Sequence, residues 1–96
     1  MEVRIQAIHF DIADRLTAFI NKKAERLSRR NEAITSVDVT LKVVKPESAM
    51  NKEVIIKVIE PQQPEMVATK TADTFEEAVD NAIEAIERQL EKRKDK

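Results

Sequence analysis

The stretch SVDVTLKVV, residues 36–44, alternates apolar and polar side chains without interruption. Its apolar members would share one face of an extended strand: Val37, Val39, Leu41 and Val43. Such alternation is typical of a strand with one buried and one solvated face. Pro46 follows and ends the strand. The fold therefore contains a sheet with one covered face, and other parts of the chain must cover it.

Three further segments have strand character. Residues 2–8 and 53–59 alternate in the same way, and residues 66–72 follow a loop, EPQQPE, that is broken by Pro61 and Pro64. The sequence thus predicts four strands.

Two segments have the spacing of amphipathic helices. The first covers residues 13–29, with Phe19 beside an apolar stripe formed by Leu16, Ile20, Ala24 and Leu27. The second covers residues 74–92 and carries the stripe Phe75, Val79, Ala82, Ile83, Ile86 and Leu90. Its first residues, TFEE, match a capping box with Thr74 as the N-cap and Glu77 as the third helical residue.

The order of elements is β-α-β-β-β-α. Because each helix has one apolar stripe and the strands alternate, we expect a two-layer α+β fold, a four-stranded sheet with both helices packed on one face. The length of 96 residues fits a single domain, residues 1–96.

Composition excludes several classes of function. The chain has no Cys, so it has neither disulfides nor thiolate metal sites, and no Gly, so it has no Gly-rich phosphate loop. It has no long apolar run, and MEVRIQ lacks the character of a signal peptide. We therefore expect a cytoplasmic location and no membrane partner.

Charge is distributed unevenly along a chain whose formal net charge is only −1. Residues 13–30 hold six Lys or Arg and two acids, whereas residues 73–91 hold seven acids and one Arg. Residues 92–96, KRKDK, are basic again. Because the segments differ this much, the mean charge says little about the surface that a partner meets.

The charges are also sorted by helix face. Four cations of the first helix lie within roughly 60° of one another at 100° per residue: Arg15, Lys22, Arg26 and Arg29. On the second helix the acids fill one flank, Asp80, Glu84, Glu87 and Glu91. We expect Arg88, Lys92 and the tail, on the other flank, to join the basic stripe while the acids face away. From periodicity alone, an ordinary solvated face with intrahelical ion pairs explains this stripe best; the alternative is a stripe that binds phosphates.

No residue set supports catalysis, and we expect no enzymatic activity, cofactor or small-molecule substrate. His9 is the only histidine, and no partner pattern accompanies a Ser nucleophile. Asp80, Glu84 and Glu87 could hold a divalent cation, but a solvated acidic face explains them better. Three Phe are too few for an RNA module that stacks bases on its sheet, so structured RNA recognised through phosphates and shape is the better fit.

The segments FDIADRLTAFINKKAERLSRR, VDVTLKVVK and TFEEAVDNAIEAIERQLEKRKDK resemble the ribosome hibernation-promoting factor family, also called the sigma-factor modulation or ribosome-associated inhibitor family. The most specific part is AIERQLEKRKDK. The resemblance implies the β-α-β-β-β-α fold derived above, which is similar to that of double-stranded-RNA-binding domains.

The resemblance also implies a function. Family members bind the small ribosomal subunit and its ribosomal RNA at the decoding centre, block messenger RNA and tRNA, and keep ribosomes idle under stress or in stationary phase. The RNA contacts carried over by position are Lys23, Arg26, Arg29, Arg88 and Lys92. Lys22 and Arg30 are added from the basic stripe, and Arg93 and Lys94 from the basic tail.

The sequence departs from the family at Ala85, where a Lys is common, and in the loop EPQQP, which lacks the usual Gly-containing turn. We expect it to correspond to the short form, which acts with a separate ribosome-dimerising factor. Two alternatives remain open: a general binder of structured RNA, and a module that binds a protein such as a sigma factor through Glu84 and Glu87.

Overall fold

The computed structural model describes residues 1–94, with side chains as far as residue 93. Its elements are β1 Glu2–Ala7, α1 Asp14–Arg30, β2 Ser36–Val43, β3 Lys52–Ile59, β4 Met66–Ala72 and α2 Phe75–Lys94. The predicted order is confirmed, and each boundary lies within one or two residues of its predicted position.

The strands form one sheet in the order β1-β2-β3-β4. β1 and β2 are parallel, which requires a crossover that α1 supplies, and the other two pairs are antiparallel. One row across the sheet joins Ile5, Val39, Ile56 and Ala68, all on the face that the helices cover. The predicted two-layer α+β fold is therefore confirmed.

The core lies between this face and the helices. Val37, Val39 and Leu41 of the opening stretch are buried, whereas Val43, at the end of β2, is 39% exposed. Both helices add their apolar stripes to the same cluster, including Ile20 and Ile86, which are almost completely buried. With so few aromatics, close-packed aliphatic side chains stabilise the domain.

The two helices run in the same direction. β4 is parallel to β2, and each helix returns across the sheet after its preceding strand, so both N-termini lie at one end. At that end the rings of Phe10 and Phe75 stack with their centroids 5.2 Å apart. The predicted N-cap of α2 is confirmed, because Glu77 N donates to Thr74 Oγ1 at 3.1 Å.

The chain contains no glycine, and four other residues adopt positive φ values in its turns. His9, Lys45, Met50 and Gln62 adopt positive φ values between 49° and 65°, a conformation that costs a residue with a Cβ roughly 1 kcal/mol or more. One of these residues, Gln62, lies in the loop EPQQP. It has a positive φ there, a conformation that a glycine would adopt more easily.

Candidate nucleic-acid interface

α1 and α2 lie side by side and are joined by ion pairs along their line of contact, which we call the helix seam. Lys23 Nζ lies 3.0 Å from Asp80 Oδ1, and further along Arg30 Nη1 lies 2.7 Å from Glu87 Oε2. The order of these pairs agrees with parallel helices. The C-terminal turns of both helices, where most of the predicted RNA-binding residues occur, therefore lie at the same end of the molecule.

Glu87 is the centre of the helix seam. It accepts hydrogen bonds from Arg26 Nη2 at 3.3 Å and from Arg30 Nη1 at 2.7 Å, and only 10% of its side chain is exposed. Arg30 also lies 3.8 Å from Glu91. A carboxylate this buried is stable only when it is paired, so the two arginines compensate for its loss of water.

The expectation that the acidic flank of α2 faces away from α1 is wrong. Asp80, Glu87 and Glu91 point toward α1 and pair with its cations. Arg88 and Lys92 lie about 100° and 140° around α2 from Glu87, so they do not join the stripe of α1 across the helix seam. The helical repeat gives the angle between the flanks but does not say which flank meets the neighbouring helix.

Lys23 is the most enclosed of the predicted cations on α1. Its side chain is 24% exposed, is bound to Asp80, and places Nζ 5.3 Å from the centroid of the Phe19 ring. Attraction to the ring adds to the ion pair and holds the ammonium against the protein.

A second buried carboxylate lies where α2 ends, and sequence reasoning missed it. Glu60, 8% exposed at the end of β3, accepts from Arg93 Nη1 at 3.1 Å and from Asn31 Nδ2 at 3.2 Å. Arg93 also donates to the carbonyl of Pro64. One acid thus ties the last turn of α2 to the end of α1 and to the β3–β4 loop. Its only sequence signal is its place between a strand and Pro61.

The remaining predicted cations whose side chains are described lie on the surface. Lys22, Arg88 and Lys92 are exposed and form no ion pair within residues 1–94. Arg29, 77% exposed, has only a 3.7 Å contact with Glu25 one turn away. The side chain of Lys94 lies outside the described residues.

Helix dipoles add to this arrangement. The C-terminal carbonyls of both helices carry partial negative charge at the basic end, which favours Arg29, Arg30 and the cations of the last turn of α2. Ala85 is partly buried against the core.

Other kinds of site find little support. Residues 1–94 contain no group of three His, Cys, Asp or Glu placed to hold a metal ion. His9 is exposed in the turn after β1. None of the described helices is both long and apolar enough to cross a membrane.

Solved structures share this arrangement of sheet and helices. A ribosomal subunit interface protein from Coxiella burnetii matches with a TM-score of 0.87 over 100% of both chains, at 24% identity. The N-terminal domain of Protein Y from Thermus thermophilus matches with a TM-score of 0.80 over 96% of this chain and 98% of that chain, at 19% identity. These matches show the class of fold, a small two-layer α+β domain.

Sequence similarity identifies the family. The ribosome hibernation promoting factor of Azotobacter vinelandii is 31% identical over 96 residues, which are 100% of this chain and 85% of that protein. The model of the Sigma 54 modulation protein / S30EA ribosomal protein family matches residues 3–96. The chain belongs to this family, and the resemblance found in the sequence is confirmed.

Proposed function

We propose that this protein is a ribosome hibernation factor. It binds the small ribosomal subunit near the decoding centre, places its basic end on ribosomal RNA phosphates, and keeps messenger RNA and tRNA out by occupying their path. The observation that carries the proposal is the collection of exposed cations at the shared C-terminal end of the two helices, in a family whose members are named as ribosomal proteins.

The charge pattern favours a polyanion over other partners. Arg29, Arg88 and Lys92 are exposed in the last turns of two parallel helices, and their side chains are long enough to follow an irregular backbone. Cations that neutralise phosphates release counterions, so binding gains free energy at low salt without reading bases.

Base stacking has no support in the structure. Phe10, Phe19 and Phe75 are the only aromatic residues of the chain, and all three pack against the core on the helix side of the sheet. The open face of the sheet therefore offers no ring to a base. Recognition rests on phosphates and on the shape of folded RNA.

Inhibition by occlusion requires no catalytic reaction. A folded domain measuring 44 × 23 × 18 Å excludes a polynucleotide strand from the space that it fills. The protein then acts in the cytoplasm as a non-enzymatic inhibitor without a cofactor, and the pairing of ribosomes falls to a separate factor.

The test is co-sedimentation of the protein with purified small ribosomal subunits over a series of KCl concentrations. We expect saturation near one protein per subunit, and a Kd that rises steeply with salt. Arg88→Glu should weaken binding, whereas Lys57→Glu, an equal charge change on the open sheet face, should not. An equal loss of binding affinity in both variants, or no binding of the unaltered protein at low salt, would contradict the proposal.

A general binder of structured RNA would use the same cations. An excess of long RNA duplex separates the two functions: it should leave binding to the subunit nearly unchanged if the subunit offers a shaped site. The protein-binding alternative is weaker, because Asp80, Glu87 and Glu91 are engaged with α1 and Glu84 alone of that flank stays exposed and unpaired among the described residues.

A further inference from the structure

Basic residues are consecutive at three places in the helices, Lys22–Lys23, Arg29–Arg30 and Lys92–Arg93, and the last pair is followed by Lys94, whose side chain lies outside the described residues. The two members of each pair differ in their surroundings. The first members are exposed and unpaired within the described chain or only weakly paired, and we call them the outer cations: Lys22, Arg29 and Lys92. The second members are bound to acids of other elements, and we call them the inner cations: Lys23, Arg30 and Arg93. A step of about 100° around the helix separates the two groups.

We propose that the outer cations contact the phosphates of the RNA, and that the inner cations hold the two helices in place without touching phosphate. This division rests on the proposed function and specifies which charges carry it. Arg26, which is half exposed and touches Glu87, belongs to neither group.

The inner cations would lose a partner by turning to phosphate. If Lys23 swung outward, it would leave both Asp80 and the Phe19 ring. The abandoned carboxylate would then face an approaching polyanion of the same sign. Each such exchange replaces one anion with another and gains little free energy for binding.

Arg30 and Arg93 are held by more than one contact. About half of the Arg30 side chain is exposed, but its guanidinium lies between Glu87 and Glu91. Arg93 binds Glu60 and the Pro64 carbonyl at once. Moving either arginine out of its place would leave a mostly buried carboxylate with one partner fewer, and this costs stability.

The outer cations have no such restraint. Lys22 and Lys92 have no ion pair with any described residue, and the single contact of Arg29 is a solvent-exposed pair of the weakest kind. Their counterions are therefore free to leave when phosphates arrive, which is the source of binding free energy and of its dependence on salt.

Two triple variants test the division: Lys22→Gln with Arg29→Gln and Lys92→Gln, and Lys23→Gln with Arg30→Gln and Arg93→Gln. Each lowers the charge by the same amount, so long-range attraction to the subunit changes equally. The probe is the purified small ribosomal subunit, and Kd is measured against KCl concentration.

For the outer variant we expect the slope of log Kd against log salt to fall by about 1 per residue replaced, with binding at least roughly tenfold weaker at low salt. For the inner variant we expect an unchanged slope and a Kd within about threefold of the original value. An inner variant that loses as much slope as the outer variant would overturn the division.

The inner triple variant could fail to fold, so a second comparison uses neighbouring residues. Lys22→Gln should lower the slope by about 1, whereas Lys23→Gln combined with Asp80→Asn, which removes both partners of a pair, should leave it unchanged. Circular dichroism confirms that each variant is folded. A loss of slope in the Lys23 and Asp80 double variant would refute the assignment.

The outcomes separate this inference from the proposed function. If the unaltered protein binds and both triple variants lose binding affinity and salt slope to the same extent, the division is wrong while ribosome binding stands. If the unaltered protein does not bind at any salt concentration, both are wrong.

Discussion

The helix seam and the open face of the sheet contain ionic clusters of opposite construction. In the helix seam one carboxylate, Glu87, lies between Arg26 and Arg30. On the sheet one guanidinium, Arg4, lies between Glu2 and Asp38, and donates to Asp38 Oδ1 at 2.6 Å. The hydrogen bond and the charge of Asp38, followed by the charge of Glu2, raise the pKa of Arg4. Both clusters have short contacts, so distance does not distinguish them.

The difference lies in which group is buried and which groups face solvent. The central carboxylate of the helix seam is 10% exposed and its two arginines are about half exposed, whereas the central arginine of the sheet cluster is itself 54% exposed. Solvent therefore reaches the arginines of the helix seam but hardly its carboxylate, whereas on the sheet it reaches Arg4 and Glu2 alike. The comparison also predicts that loss of partners lowers stability in the helix seam and not in the sheet cluster.

The largest effect is expected for Arg26→Gln combined with Arg30→Gln, which leaves the carboxylate of Glu87 buried without its partners. The free energy of unfolding should fall by about 2 kcal/mol, less than for a fully buried pair because both arginines are half exposed. In a thermal melt this corresponds to a Tm lower by roughly 8–16 °C.

Adding Glu87→Gln to that double variant is the control. An amide carries no charge that needs compensation, so urea unfolding should show most of the lost stability restored. A triple variant as unstable as the double variant would mean that the arginines stabilise the fold through packing instead of charge.

A smaller effect is expected for Arg93→Gln, at the other buried carboxylate. Glu60 keeps its hydrogen bond from Asn31, so the loss of stability should be about 1 kcal/mol. The effect should be local, because Arg93 ties down only the last turn of α2.

Hydrogen exchange measures this locality. The amides of residues 90–92 should exchange faster in Arg93→Gln, while those of residues 82–86 should keep their protection. Uniform acceleration along α2 would show that Glu60 and Arg93 stabilise the whole domain instead of the end of the helix.

The smallest effect is expected for Arg4→Gln. All its contacts are on the open face of the sheet, and the arginine is accessible to water, so the unfolding midpoint should not change measurably. A destabilisation comparable to that of the Arg26 and Arg30 variant would show that exposure does not explain the difference between the clusters.

Much of the fold could be predicted because its signals are local. The alternation around Val39 defines a strand with one covered face, and Thr74 with Glu77 defines the start of α2. The order of elements then leaves few ways to cover a four-stranded sheet. The division of the cations into outer and inner groups could not be predicted in this way, because it depends on contacts between elements that only the folded structure shows.

The partners of Glu87 and Arg93 could not be predicted, for two physical reasons. Glu87 lies at the edge of the apolar stripe of α2, and the helical repeat cannot say whether that edge meets α1 or solvent. Arg93 and Glu60 are 33 residues apart in sequence, and no periodicity links them. Such pairs depend on how the elements dock.

The two parallel helices also have side chains of opposite charge at their two ends. Asp14, Glu76 and Glu77 lie at the positive ends of the helix dipoles, and the basic turns lie at the negative ends. These side-chain charges therefore run opposite in sense to the backbone dipoles along the helices, although the formal net charge is only −1. Near a polyanionic surface, the electric field exerts a torque on this charge distribution and turns the basic end toward the surface. The molecule is therefore oriented before it makes its first contact.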